Sequence, residues 1–386
     1  MPEDFFHQKR PPAEVKHAIL GEYLSVFVGK VGSSSVGGRV AYVDGFAGPG
    51  VYDDEAPGSP LVAANVGTLL SRSRQLRGFL VEEKAAHAQA LREALTGAGH
   101  DDWEVWEQRA EDALPGILEQ VGSDPLLVFL DPHGLAVPFD MLVRRVMARS
   151  EITEVLLYFT QTGIARLAGL LEPEWLREAR QDRQAVVRAR GEAELARLEA
   201  ARRGGLQYLD DFLGGGWWRQ LVADAQPSWK EDVRNEYIRR VAEAAGPGWR
   251  HFLTPVPDRW EGPARYELIL FTRHAHGRWA FNNATAQAFR RLYERHWTQP
   301  GAMPTLFSEG QGIPDPRPDF IAKIKGNVTD ALAEGRTGFQ VANHLDLLLG
   351  EELLGRAGAS EIRQALQQLH AWLEQNVGVR GADSGS

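Results

Sequence analysis

From Val40 to Thr160 the chain alternates short apolar runs with stretches of helical spacing. "VAYVD" (40–44), "RGFLVEE", "DWEVWEQR", "PLLVFLD" and "EVLLYFT" each predict a strand, and the fourth is the most apolar of them. Between them "SPLVAANVGTLL", "AAHAQALREAL", "EDALPGILEQV" and "FDMLVRRVMA" predict helices, the first with Ser59 as N-cap and Pro60 in the first turn. Such alternation makes an α/β fold, a mostly parallel sheet covered by helices on both faces. Upstream, Val15, Ile19, Tyr23, Val26 and Phe27 fall near helical spacing, and "GSSSVGG" stops that helix.

The second half has a different rhythm. Trp175 to Arg203 is a charged, arginine-rich helical stretch, followed by "GG" and "GGGWW" breaks. Sheet-like sequence returns at "RYELILFTRH" (265–274), with "GRWAFNNA" as its expected hairpin partner. Proline and glycine crowd residues 301–318, which read as a linker. Beyond it three amphipathic helices are expected, in "DFIAKIKGNVTDAL", "GFQVANHLDLLLG" and "ASEIRQALQQLHAWLEQNVGV". Ser360 is the expected N-cap of the last, with Arg363, Gln364 and Gln367 on its exposed side.

Composition narrows the chemistry. With no cysteine, a disulfide framework, a thiolate nucleophile, a Cys-type zinc site and an iron–sulfur cluster are excluded. No apolar run reaches the roughly 20 residues needed to span a bilayer. The first residues lack the basic-then-apolar order of a secretory signal, so the expected location is the cytoplasm. A net charge of −9 requires any nucleic-acid contact to use a local basic patch. The arginines from Arg177 to Arg203 alternate with glutamates and aspartates, the pattern of a solvated helix laced with ion pairs. His274 and His276 lack the cysteine or carboxylate partners that a metal set needs.

Two turns carry the candidate chemistry. "YVDGFAGPGVY" (42–52) joins the first core strand to its helix, the place where open α/β sheets bind ligands. Its glycines let backbone approach a ligand closely, although their spacing departs from the dinucleotide fingerprint. "FLVEE" puts Glu82 or Glu83 about one strand–helix unit later, where a carboxylate can take both hydroxyls of a ribose. "DPHG" (131–134) ends the most apolar strand. Proline fixes φ and donates nothing, so the Asp131 carboxylate and Pro132 carbonyl form a pair of acceptors suited to an exocyclic amine. Taken alone, "DPHG" reads first as a plain strand-to-loop turn.

Together "DGFAGPG" and "DPHG" resemble the paired motifs of S-adenosylmethionine (SAM)-dependent amino-methyltransferases. More closely, "VKHAILGEYL", "YVDGFAGPGVY", "GSPLVAA", "FLDPHGL", "EVLLYFT" and "YELILFTRHAHG" resemble the three-Cys-motif partner (TcmP) family. That resemblance covers about Val15 to Gly277 and implies a Rossmann-like methyltransferase sheet with a helical insertion at about 165–250. It divides the chain into a methyltransferase-like domain (1–300), the linker (301–318) and a small winged-helix-like module (319–386), for which a protein-docking module is the alternative. It assigns Asp44, Gly45, Phe46, Gly48 and Gly50 to the cofactor loop, Glu82 to the ribose, and Glu111 or Asp112 to the adenine side. Asp131, Pro132, His133 and Gly134 become the catalytic turn, with Lys16 and His17 at the edge of the substrate site. His133 stands where methyltransferases often carry Pro or Phe, which leaves the substrate more open than the cofactor. The implied function is methylation of nitrogen on a nucleic-acid base, beside a radical-SAM-like partner protein bearing a three-cysteine motif. The rival is a binding subunit that keeps a methyltransferase-like fold without catalysis.

Overall fold

The apolar segment Leu126–Leu130 is buried at every position and forms the strand around which the rest assembles. The computed structural model describes residues 11–132, 134–135, 137–257, 264–298, 315–336 and 340–377. In chain order the first elements are α1 (Pro11–Val31), β1 (Arg39–Asp44), α2 (Ser59–Leu70), β2 (Gln75–Val81) and α3 (Ala85–Gly97). Next come β3 (Glu104–Trp106), α4 (Ala110–Val121), β4 (Leu126–Leu130), α5 (Phe139–Met141) and β5 (Thr153–Phe159). α5 passes directly into a π-helical turn over Leu142–Val146, so "FDMLVRRVMA" is helical but not one regular α-helix.

Between β5 and β6 the chain inserts six helices: α6 (Gln161–Ala168), α7 (Glu174–Gln181), α8 (Arg183–Arg190), α9 (Glu192–Leu213), α10 (Trp218–Ala223) and α11 (Trp229–Ala244). The arginine-rich stretch is therefore three helices, broken at Asp182 and Gly191. Asp182 turns its carboxylate onto the amide of Ala185 as an N-cap, and Gly191 has φ 80°. β6 (Arg250–Pro257) and β7 (Ala264–Thr272) form an antiparallel hairpin. "GRWAFNNA" is not its second strand: it lies within α12 (Ala275–Thr298), and the partner of "RYELILFT" is the upstream segment. Phe281, Ala284 and Ala288 are buried along α12, showing that a helical period runs through a sequence that also reads as alternating.

The seven strands form one sheet in the order β3-β2-β1-β4-β5-β7-β6. β1 to β5 pair in parallel, and β7 runs antiparallel to both β5 and β6. β1 and β4 lie side by side, so the strand order reverses between them. Crossover helices cover the sheet, which explains why its central strands β1, β4 and β5 are buried almost throughout rather than alternating. The insertion is welded to β5 by aromatic packing: Phe159 lies 6.1 Å from Phe212 of α9 and 5.5 Å from Tyr237 of α11, centroid to centroid. Arg234 of α11 and Gln161 of α6 both donate to Glu267 of β7, a buried carboxylate whose charge needs such partners.

The chain divides into two compact units. The first holds residues 28–273 and the entire sheet. The second holds residues 11–27 and the described residues from 274 onward, with α13 (Arg317–Ala333), α14 (Leu345–Leu353) and α15 (Ala359–Val377). α12 thus groups with the C-terminal helices, whereas the sequence placed the boundary in the 301–318 linker, most of which lies outside the described residues. Inside the second unit Tyr23 meets Phe281 edge-on at 5.0 Å, and the buried Asn282 amide bridges Ala357 and Gly355. The described residues of this unit are helical, with no strand that would form a wing. Ser360 lies inside the first turn of α15 rather than capping it; Glu361 receives the Gly358 amide there. Among the described residues no helix is long and apolar enough to cross a membrane.

Candidate active site

In open α/β sheets the crevice beyond the carboxyl ends of the strands opens where strand order reverses. Here that point lies between β1, which ends at Asp44, and β4, which runs straight into Asp131. Asp44 is fully buried. Its Oδ1 accepts the Phe46 amide at 3.1 Å and its Oδ2 accepts the Tyr42 hydroxyl at 3.1 Å. The Ser59 hydroxyl also bonds it. Ser59 was expected to cap α2; Gly58 occupies that position instead, and Ser59 turns inward as the first helical residue.

Burial pushes the Asp44 carboxyl up to about 6, the hydrogen bonds hold it down, and the charge of Asp131 raises it further. Tyr52, at the end of the glycine turn, is buried and its hydroxyl titrates well above the ordinary tyrosine range. Desolvation is the main cause, reinforced by Asp131, Asp54 and Asp44. Tyr42 behaves alike, through burial and then Asp44. Asp44, Asp131, Tyr42 and Tyr52 therefore share one electrostatic environment at the reversal point. An anionic floor of this kind is matched by a ligand carrying positive charge.

The glycine turn wraps this floor by backbone bonds to both neighbouring strands. The Gly45 amide donates to the Phe129 carbonyl of β4 and the Ala47 amide to the Val81 carbonyl of β2, each at 2.9 Å. Gly48 has φ 65°, a left-handed conformation that a side chain would strain, and its amide donates to Glu82 Oε2 at 3.0 Å. Gly50 has φ 84° and backs onto α3, where an added Cβ would stand 2.9 Å from Leu91 Cδ1. Phe46 is half-buried and packs against the core.

Glu82 follows β2. Its Oε1 accepts the Lys84 amide at 2.9 Å, and His87 Nδ1 stands 3.6 Å from the same oxygen. Each oxygen keeps a second lone pair, so the carboxylate can brace the turn and still accept from a hydroxyl. Glu111 and Asp112 open α4, where acidic side chains complement the helix dipole. Glu111 pairs with Arg109, and Asp112 is exposed.

Pro132 is buried, while Asp131 and Gly134 are half-buried. His133 lies outside the described residues. Lys16 and His17 are buried on α1 and belong to the second unit. Among the described residues no cluster of histidine, aspartate or glutamate is arranged to hold a metal.

Sequence reasoning missed three contributors. Tyr42 and Tyr52 flank the glycine turn and read there as strand and loop aromatics. Tyr208, on the inserted helix α9, donates from its hydroxyl to the Leu135 carbonyl at 2.9 Å, just beyond the "DPHG" turn. No local pattern in "LQYLDDFL" (206–213) marks it out.

A seven-stranded sheet of this order, with its one reversed strand between the fifth and sixth and an acidic, glycine-rich crevice at the reversal, defines a Rossmann-like fold of the methyltransferase type. No family model matches the chain, and no curated protein matches it. Among solved structures it is similar to the O-methyltransferase from Bacillus cereus in complex with SAH, at 13% identity and a TM-score of 0.32, covering 65% of this chain and 80% of that one. It is also similar to the O-methyltransferase TomG from Streptomyces achromogenes in complex with SAM, at 14% identity and a TM-score of 0.31, covering 65% and 78%.

Proposed function

We propose that the first unit is a SAM-dependent methyltransferase acting on nitrogen. The observation that carries this reading is the placement of Asp44 and Asp131 at the strand-order reversal, beneath a glycine turn pinned to β2 and β4. The residues suit the cofactor chemically. Gly48 brings backbone close, Glu82 has lone pairs for ribose hydroxyls, and the anionic floor complements a sulfonium and an ammonium group. Bound there, the cofactor would supply a methyl group already activated as an electrophile.

The protein's own part is positioning. The Asp131 carboxylate and Pro132 carbonyl are acceptors that can hold an amine N–H and leave its lone pair free. Asp131 also stands ready to receive the proton that the nitrogen sheds. The buried Asp44, Tyr42 and Ser59 network keeps water away from the base of the crevice and fixes the end of β1.

The resemblance of the motifs to the three-Cys-motif partner family extends this proposal to a nucleic-acid base as acceptor and to a radical-SAM-like partner protein. The charges at this edge set the condition for such an acceptor. Asp53, Asp54, Glu55 and Glu83 are exposed there, and arginines of the insertion such as Arg180, Arg190 and Arg197 are paired with Glu172, Glu178 and Glu194. A nucleic acid would have to present its base with its phosphates turned away from the acidic rim. The test is transfer of labelled methyl from SAM to DNA, to RNA and to a basic protein, with and without Asp131→Asn. Transfer that falls about tenfold or more in the variant supports the proposal. Binding of SAM without transfer to any pool points to the non-catalytic subunit.

A further inference from the structure

Tyr208 stands out because it is a large aromatic residue left 42% exposed beside a crevice of buried ones. Its helix is drawn close by small residues: an added Cβ on Gly205 would fall 2.4 Å from Leu170 Cδ1. Leu206, Leu209, Phe212 and Leu213 bury the core face of α9, and Tyr208 lies on its flank. The hydroxyl is committed to the Leu135 carbonyl at 2.9 Å, and an added Cβ on Gly134 would come 3.7 Å from it. A tyrosine tethered by its hydroxyl offers only its ring to whatever arrives.

The surroundings identify what that would be. The phenol sits within electrostatic reach of Glu111, Arg109 and Glu83. Glu83 follows β2, Arg109 and Glu111 follow β3, and Gly134 and Leu135 follow β4. The loops after β2 and β3 bound the crevice on one side of the glycine turn and the loop after β4 bounds it on the other, so Tyr208, tethered to Leu135 and within reach of Glu83 and Glu111, lies across the crevice. A nucleoside whose ribose meets Glu82 would extend its base into this space. We propose that Tyr208, contributed by the helical insertion rather than by the sheet's own loops, packs its ring on the adenine of the bound nucleoside and closes that end of the crevice. This rests on the cofactor reading above and assigns the inserted helices a part in cofactor binding.

The experiment is calorimetric titration of S-adenosylhomocysteine and, separately, adenosine into the full chain, as wild type, Tyr208→Phe, Tyr208→Leu and Tyr208→Ala. Thermal melts check that each variant folds. Base–aromatic stacking predicts about a tenfold or greater loss for Leu and Ala with both ligands, and less than about fivefold for Phe, which keeps the ring. Equal affinity in wild type and Leu, with the wild type binding normally, overturns the role of Tyr208 and leaves the cofactor reading standing. A loss in Phe as large as in Ala also overturns it, since the tether to Leu135 would then be what matters. A wild type that binds neither ligand overturns the cofactor reading and this inference together.

Discussion

Glu82 reaches from the end of β2 to accept the amide of Gly48 at 3.0 Å, so the loop after one strand is braced by the loop after its neighbour. The same carboxylate holds the Lys84 amide, which makes it a bracket with both oxygens in use.

Replacing that carboxylate by an amide leaves one oxygen for two donors. Glu82→Gln sets an NH2 group against either Gly48 or Lys84, at a cost of about 1–3 kcal/mol where the site is shielded from water. The expected result is a lower melting temperature together with weakened binding of S-adenosylhomocysteine by calorimetry. Gly48→Val, strained at φ 65°, is expected to abolish that binding while the protein stays folded. An unchanged affinity in Gly48→Val would remove the glycine turn from the cofactor site.

Asp44 gives the fold a pH dependence of unusual sign for an aspartate. The ordinary value is 3.8 and the folded value is about 6, so between these the folded chain binds more protons than the unfolded one. Stability from this group is fully present below about pH 3.8 and is lost as pH rises through about 6. The displacement corresponds to about 3 kcal/mol. Asp44→Asn still accepts the Phe46 amide and can donate to the Tyr42 and Ser59 hydroxyls. The melting temperature of the variant should therefore gain on the wild type between pH 4 and pH 8; a constant difference across that range would count against the assignment.

At Asp131 the expected loss is in rate. One charge-assisted hydrogen bond is worth about 1.5–3 kcal/mol, so Asp131→Asn should slow methyl transfer roughly ten- to hundredfold if the bond is made in the transition state. Binding of S-adenosylhomocysteine should change much less, because the glycine turn and Glu82 are untouched. Equal initial rates in wild type and variant would exclude the turn from the chemistry.

A prediction about packing concerns Gly78 in β2, opposite Tyr42 of β1. An added Cβ there would fall 2.0 Å from Cε3 of Trp103, which is buried over the strand. Gly78→Ala should destabilise the sheet by about 1–3 kcal/mol, read as a lower midpoint in urea denaturation. Pairing the change with Trp103→Leu should recover part of the loss; an undiminished penalty in the double variant would point to strand conformation instead.

The sequence by itself determined the parallel part of the sheet, because strands buried on both faces must be apolar along their whole length, as "LLVFL" is. It also located the glycine turn between β1 and α2, since three glycines and a proline after an apolar strand end that strand. It did not decide the hairpin partner of β7: "GRWAFNNA" fits both periods locally, and only the pairing of 250–257 with 264–272 left it helical. Nor could it separate a cap from a core hydroxyl at Ser59, because that choice depends on the buried Asp44 carboxylate beside it. Tertiary structure alone brought Tyr208 to the turn after β4, across 73 residues of chain. A contact of that span has no local periodicity; it exists because the insertion packs on β5 through Phe159, Phe212 and Tyr237, and that packing sets where the exposed flank of α9 falls.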